Sequence, residues 1–182
     1  MKKYYLIFLF FFLTNESFAS IKSKIIQNLE NTKNISFNFE QNINGKVETG
    51  KCTVQYPKKI FCKYELGNQK ILVSDGNSLV IKTTSSYYLY PLDKTPLNFI
   101  LDKEFLLNEI SLLKERSLNE NYINYTIIKN DNEINIFFDK KNYNLIGWQT
   151  LDIYQNLNIT FLSSITKNQN LKKDIFNLPK QN

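Results

Sequence analysis

The strongest structural signal in the chain is a β-hairpin near its centre. The pair Asp75-Gly76 lies between an apolar, β-branched run at residues 71–73 and a second such run at residues 79–81. Asp-Gly tolerates the positive φ angles of a tight type I′ turn, so this pattern predicts two antiparallel strands joined by that turn. Segments of similar length, separated by turn residues, lie before and after it. The chain as a whole therefore predicts an antiparallel sheet.

Strict alternation of apolar and polar residues is clearest near the N-terminus. Ile35, Phe37 and Phe39 alternate with polar residues, which is typical of a strand with one buried face. Strand character recurs on both sides of the central hairpin. The further predicted strands are residues 47–56, 60–65, 87–90, 110–116, 122–129, 134–138, 145–152 and 157–165.

Three segments have helical spacing instead. Residues 20–32 place Ile21, Ile25, Ile26 and Leu29 on one face. Thr95-Pro96 favours the start of a short apolar helix, and Asp102 favours the cap of the next one. These two helices plug the end of a barrel or form a lid over an opening. The predicted fold class is mainly β (α+β). It is an incomplete antiparallel β-barrel of about ten to eleven strands, covered by an N-terminal helix and short lid helices.

The first residues are typical of a signal peptide. Lys2 and Lys3 precede an apolar run at residues 4–13, and Ser17-Phe18-Ala19 places small residues at the cleavage site. We predict cleavage after Ala19 and a mature single domain at residues 20–182; the alternative is an uncleaved anchor. No cysteine lies near that site, which argues against a lipid-modified N-terminus. The formal charge of +6 would fall to +5, and the dispersed lysines do not favour nucleic-acid binding.

Composition excludes several kinds of chemistry. The chain contains no histidine and two cysteines, which excludes Ser-His and Cys-His catalysis and every histidine-based metal site. It has no Gly-rich phosphate loop and no nucleophile elbow. We therefore expect a protein that is not an enzyme and that needs no cofactor or metal.

The two cysteines are placed to form a bridge. Cys52 and Cys62 lie five residues on either side of Pro57, so a symmetric hairpin would bring them opposite each other. In an oxidising compartment this predicts a Cys52–Cys62 disulfide, which would stabilise the fold by roughly 2–3 kcal/mol. The alternative is two free, buried thiols.

Taken together, these segments resemble the LolA family of periplasmic outer-membrane lipoprotein carriers over nearly the whole mature chain. Trp148 with Asp152 resembles the family's late strand, and the residues after Thr95-Pro96 resemble its lid helix. The segments that carry the resemblance are residues 37–41, 50–57, 70–76, 95–97 with the apolar residues that follow, 148–152 and 176–179.

The resemblance implies an unclosed antiparallel barrel whose helices cover an apolar cavity. It also implies a chaperone that receives lipoproteins by their acyl chains from an inner-membrane ABC transporter of the LolCDE type. The cargo would pass to an outer-membrane receptor of the LolB type. We expect a periplasmic monomer that binds lipid, contributes to outer-membrane biogenesis and does not bind nucleic acid. The alternatives are a carrier of another lipid or glycolipid on the same fold, and a regulatory protein that senses lipoproteins.

One position departs from the family pattern. Tyr56 stands immediately before the turn proline, where family members usually have an arginine that bonds to the lid. The role of that arginine therefore cannot be transferred to Tyr56. We expect eight side chains to contact the cavity or its lid, with ordinary core packing as the alternative for each. They are Phe37, Phe39, Tyr56, Ile60, Leu97, Phe99, Ile100 and Trp148.

Overall fold

The computed structural model of the protein describes residues 20–65, 67–117, 120–129, 132–152, 155–172 and 174–181. The predicted signal peptide, residues 1–19, lies outside the described residues. Within the described ranges, no helix combines the length and the apolar character that crossing a membrane requires.

Eleven antiparallel strands form one sheet, in the order β6-β5-β4-β3-β2-β1-β11-β10-β9-β8-β7. In the part of the chain that the structure describes, β6 and β7 are the two edges and do not pair with each other, so the sheet is open. The predicted incomplete antiparallel barrel is confirmed. The strands are β1 Asn34–Ile43, β2 Lys46–Gln55, β3 Lys59–Tyr64, β4 Ile71–Asp75, β5 Ser78–Lys82, β6 Tyr87–Pro91, β7 Arg116–Ser117, β8 Tyr122–Lys129, β9 Asn132–Asp139, β10 Leu145–Leu151 and β11 Leu157–Lys167.

Strand β1 lies in the middle of the sheet, and its side chains show which face of the sheet is buried. It pairs with β2 on one side and with β11 on the other. Ile35, Phe37 and Phe39 are each no more than 5% exposed, so they face the side on which the helices lie. That side is called the concave face below. The predicted alternation in this strand is confirmed, and it fixes the register because a shift by one residue would expose all three side chains.

The central hairpin exists, but its turn is not the predicted type I′. That turn needs positive φ at two central residues, whereas only Gly76 has one here, at +109°. The Asp75 carboxylate instead accepts hydrogen bonds from the backbone N–H groups of Asn77 and Ser78, both at 2.9 Å. Burial opposes ionisation of Asp75, but these hydrogen bonds outweigh it and hold the pKa of Asp75 below its ordinary value. Hydrogen bonds to the Asp75 side chain therefore stabilise this turn, which does not have the expected type I′ backbone geometry.

Three helices cover the concave face: α1 at Ile21–Glu30, α2 at Leu97–Ile100 and α3 at Lys103–Leu112. Ser20 caps α1, and the Asp102 carboxylate caps α3 by accepting from the Phe105 N–H at 3.1 Å. The cap predicted at Asp102 is confirmed. Thr95 does not cap α2, because its hydroxyl donates to the Leu92 carbonyl at 2.8 Å.

The strand predicted at residues 110–116 was wrong. Helix α3 continues to Leu112, and the strand that follows contains only Arg116 and Ser117. Leu106 and Ile110 lie one turn apart and are both fully buried, so helical packing determines the structure here. The apolar run at the end of the helix has the composition of a strand, which explains the error.

Helices α1 and α3 lie side by side in opposite directions. The Lys22 ammonium, near the start of α1, donates to the Leu113 carbonyl at the end of α3. The Lys103 ammonium, at the start of α3, donates to the Glu30 carbonyl at 3.1 Å. Their buried side chains belong to one apolar cluster with the concave residues of β8 and β9. This pair of helices therefore seals one half of the sheet.

An apolar cavity under helix α2

A cavity of about 250 Å³ separates helix α2 from the concave face of the sheet. Its wall is formed by strands β1 to β6, the facing ends of β10 and β11, and the residues around α2. Most of the lining is apolar. The apolar side chains that line it are Phe39, Ile43, Ile60, Leu72, Leu79, Ile81, Tyr90, Pro96, Leu97, Ile100, Trp148 and Leu151, together with the sulfur atoms of Cys52 and Cys62.

Five of the eight side chains predicted to contact the cavity or its lid lie in the cavity wall. Phe39 and Ile60 reach it from the sheet, and Leu97 and Ile100 reach it from α2. Trp148, the only tryptophan of the chain, lines it from β10 and is 6% exposed. The other three predicted residues do not line it.

Phe37, Tyr56 and Phe99 do not line this cavity, although Phe99 lies on α2, the predicted lid helix. The Phe37 ring packs edge-on against Trp148, with the ring centroids 6.3 Å apart. Phe99 points toward α3, and its ring centroid lies 5.1 Å from that of Phe105. Tyr56 borders a second, smaller space beside α1, where burial raises the pKa of its hydroxyl.

The helical cover is fastened to the sheet two residues after Tyr56. The backbone N–H of Lys58 donates to the Leu101 carbonyl at 2.8 Å. The Lys58 ammonium also lies 3.3 Å from the Asp102 carboxylate, just beyond the end of α2. These two contacts join the β2–β3 turn to the segment between α2 and α3.

A disulfide forms part of the cavity wall. Cys52 and Cys62 are directly opposite each other on β2 and β3, with their Cα atoms 4.1 Å apart, and their sulfur atoms are bonded. Both side chains are nearly inaccessible to solvent and both border the cavity. The sequence suggested the pairing but not its position in the wall.

A glycine allows two aromatic rings to meet beside the cavity. Gly50 is paired with Phe39 on one side and with Tyr64 on the other. A Cβ atom at Gly50 would lie 2.7 Å from the Phe39 ring, which is closer than such contacts allow. Without a side chain at this position, the Phe39 and Tyr64 rings pack edge to face at 4.9 Å. Gly50 therefore shapes the wall.

One end of the cavity carries charged groups. The Glu48 carboxylate is 4% exposed and lies 2.5 Å from the Lys70 ammonium and 3.2 Å from the Lys46 ammonium. Burial opposes ionisation of Glu48, but the hydrogen bonds and positive charges of Lys70 and Lys46 outweigh it, so the pKa of Glu48 is below its ordinary value. Burial and the Glu48 charge raise the pKa of the adjacent Tyr64.

Sequence reasoning missed several wall residues on the far strands. Leu72, Leu79 and Tyr90 line the cavity from β4, β5 and β6. Leu79 and Tyr90 are directly paired across β5 and β6, so the strand register could have placed both on the cavity side. The described residues include no cluster of three metal-ligating side chains. The apolar lining, which also includes Lys70, can hold an apolar ligand that carries one polar group.

The fold and this cavity define a class of protein: an open antiparallel sheet whose helices cover an apolar binding space. A family model described as outer membrane lipoprotein carrier protein LolA matches residues 30–179. The chain belongs to the LolA family. The family description is that of a carrier. No curated protein matches the sequence.

Solved structures of similar fold share little sequence with this chain. An uncharacterized conserved protein from Thermus thermophilus is 9% identical, with 88% of this chain and 93% of that chain covered and a TM-score of 0.52. A structure of the Pseudomonas aeruginosa MucA/MucB complex is 11% identical, with 88% and 62% covered and a TM-score of 0.50. These two support the fold. A LolA superfamily protein from Nitrosomonas europaea is 8% identical, with 88% and 99% covered and a TM-score of 0.44.

Proposed function

We propose that the protein is a periplasmic carrier that binds the acyl chains of lipoproteins in the cavity under α2. The observation that carries this proposal is an apolar space of about 250 Å³ that the protein's own side chains leave unfilled. Membership in the LolA family supports lipoproteins as the cargo. In this proposal residues 20–182 are the mature, single-domain, monomeric chain after removal of the signal peptide.

The cavity matches the physical problem that such a carrier solves. An acyl chain with roughly 14 methylene groups exposes about 11 kcal/mol of unfavourable surface to water, at about 0.8 kcal/mol per group. The volume of the cavity is just below the ~300–1,000 Å³ of typical ligand pockets. With α2 in its observed position, the cavity has room for only part of a lipid anchor. Helix α2 must move outward to admit the remaining hydrocarbon.

The construction of the cover fits this movement. Helix α2 has four residues and is the only helix that contributes side chains to the cavity in the described part of the chain. The polar contacts between its C-terminal end and the sheet are one backbone hydrogen bond and one partly exposed ion pair, which contributes about 0–1 kcal/mol, and Ile100 and Leu101 add apolar packing. Closure of α2 over the empty cavity then competes with cargo binding. This competition lets the carrier release its cargo.

The proposed partners follow from the family. An inner-membrane ABC transporter of the LolCDE type would load the carrier, and an outer-membrane receptor of the LolB type would unload it. Carriage of a glycolipid or another lipid, and sensing of lipoproteins for regulation, are the competing functions. They differ in what the protein holds when it is purified.

Native mass spectrometry of protein purified from its own periplasm tests the proposal. We expect a bound lipoprotein. A bound free lipid would instead favour the glycolipid or lipid carrier, and protein that is empty in every preparation would contradict a carrier function.

Two substitutions on α2 provide a matched comparison. Leu97 and Phe99 are both half-buried, but only Leu97 lines the cavity. We expect Leu97→Asp to abolish cargo binding and Phe99→Asp to retain it, with the fold of each checked by circular dichroism. Ile100 is less suitable, because it is 2% exposed and a charge there would be buried. Equal loss of cargo in both variants would contradict the assigned position of the binding space.

A further inference from the structure

We propose that Lys70, held by Glu48 and Tyr64, forms a subsite for the uncharged carbonyl oxygen that joins an acyl chain to its head group. The inference rests on the proposed function, because it concerns the polar end of the same cavity. The alternatives are that the cavity recognises only hydrocarbon, or that it prefers an anion.

Strand pairing places these groups together on the concave face. Glu48 is paired with Gln41, which lines the cavity from β1. The Tyr64 backbone N–H donates to the Lys70 carbonyl at 3.0 Å, which brings Lys70 beside the end of β3. The Tyr64 hydroxyl donates to the Gln41 side-chain carbonyl at 3.3 Å. Lys70 itself lines the cavity.

Within the described residues, the Lys70 ammonium has one N–H left for a ligand. A lysine ammonium has three N–H groups. One direction is taken by the Glu48 carboxylate at 2.5 Å, and a second faces the Tyr64 ring, whose centroid lies 4.1 Å from the nitrogen. The side chain of Lys70 is 17% exposed, so water can solvate the remaining N–H in the empty protein.

Filling the cavity with hydrocarbon would remove that water. A buried donor without an acceptor costs about 1–3 kcal/mol, and more when the donor is charged. A carbonyl oxygen at the end of the chain would replace the water, so a ligand that carries one should bind more tightly than a plain alkane. The preference comes from the third N–H of Lys70.

The local charges favour a neutral acceptor over an anion. Glu48 balances the charge of Lys70, and the second lysine that contacts Glu48, Lys46, is 73% exposed to solvent. Asp152 adds a negative charge to the lining, although its carboxylate also accepts from the Asn156 backbone and side chain at 2.9 and 3.0 Å. The charges that border the cavity therefore do not sum to an attractive field for a carboxylate.

Three ligands with the same chain length test the subsite. Methyl octanoate carries an uncharged ester, octanoate carries a carboxylate, and octane carries no oxygen. Each competes with the fluorescent probe N-phenyl-1-naphthylamine for the whole protein. For the unmodified protein we expect methyl octanoate to bind most tightly. We expect Lys70→Met to weaken methyl octanoate about tenfold and to change octane less than about twofold.

The controls separate the subsite from the fold and from the proposed function. Lys63→Met removes an exposed lysine that is paired with exposed Lys51, and it should change no affinity. The double variant Glu48→Gln with Lys70→Met removes both buried charges and should still lose the ester preference if Lys70→Met alone misfolds. Equal weakening of the ester and octane, or tighter binding of octanoate than of the ester, would overturn the subsite. Failure of all three ligands to displace the probe would overturn the carrier proposal itself.

Discussion

The same sheet supports a solid core under one pair of helices and a cavity under another helix. Under α1 and α3, side chains of β8 and β9 are sealed, and Tyr125, Ile134 and Ile136 are all 0% exposed. Under α2, the apolar side chains of β3 to β6 surround an open space. Strand β9 is also buried on its outer face, at Asn135 and Phe137, but the concave face is apolar in both halves, so the residues of that face alone do not explain the difference.

The difference lies in the length of the cover. Helices α1 and α3 have ten residues each and pack against each other, which lets Ile25, Leu106 and Ile110 reach fully buried positions. Helix α2 has four residues and buries Ile100 alone. The side chains of this short helix do not fill the space above the apolar face of the strands. A cavity can therefore form where one helix is shortened above an apolar face of the sheet.

The largest effect is expected for the free energy of unfolding of variants that remove an apolar side chain from each half. Leu106→Ala in the sealed half should lower the free energy of unfolding by about 3–5 kcal/mol, because it opens a new void in a closely packed region. Leu79→Ala in the cavity wall should cost about 2 kcal/mol, because it enlarges a space that already exists. Urea denaturation of both variants measures the difference. Equal costs would mean that the two halves are packed alike.

The next effect concerns the disulfide in the cavity wall. Replacing Cys52 and Cys62 together by serine should lower the free energy of unfolding by about 2–3 kcal/mol, as expected for a loop of this length. Mass spectrometry without reductant should give the mass of the bonded form for the unmodified protein. A mass that matches two free thiols, or no stability difference between reduced and oxidised protein, would contradict a structural bridge.

The smallest effect is the acid dependence of the polar end. Because the folded-state pKa of Glu48 lies below its ordinary value of 4.5, its ion pair stabilises the fold above about pH 4.5 and this contribution is lost as the pH falls below that value. Glu48→Gln should lower stability at neutral pH, and the gap from the unmodified protein should shrink on acidification. Thermal unfolding across this pH range measures it. If the difference in stability between Glu48→Gln and the unmodified protein did not change with pH, the Glu48 ion pair would not be its cause.

Much of this architecture could be predicted from local pattern, and the exceptions have physical reasons. Alternation in residues 35–39 and the apolar face of α1 identified buried positions because each element buries one side. Alternation could not distinguish Phe37 from Phe39, which point to the same face of β1. Phe37 meets Trp148 while Phe39 reaches the cavity, and that depends on where distant strands and helices lie.

Two further errors have the same origin. Residues 110–112 have the composition of a strand, but the contacts of Ile110 with the core keep them helical. Tyr56 precedes the turn proline as expected, yet the turn directs it toward α1 and leaves Lys58 to contact the helical cover. Both outcomes depend on tertiary packing rather than on neighbouring residues.

Fluorescence of Trp148 reports whether an acyl chain occupies the cavity, because this single tryptophan lies in the cavity wall. An alkyl ester with a bromine atom at the end of its chain is compared with the same ester without bromine, since bromine quenches tryptophan emission on contact. We predict that the brominated ester quenches Trp148 at saturation, that the other ester does not, and that Leu97→Asp removes the quenching. A brominated ester that binds as tightly but leaves the emission of Trp148 unchanged would contradict acyl-chain binding under α2.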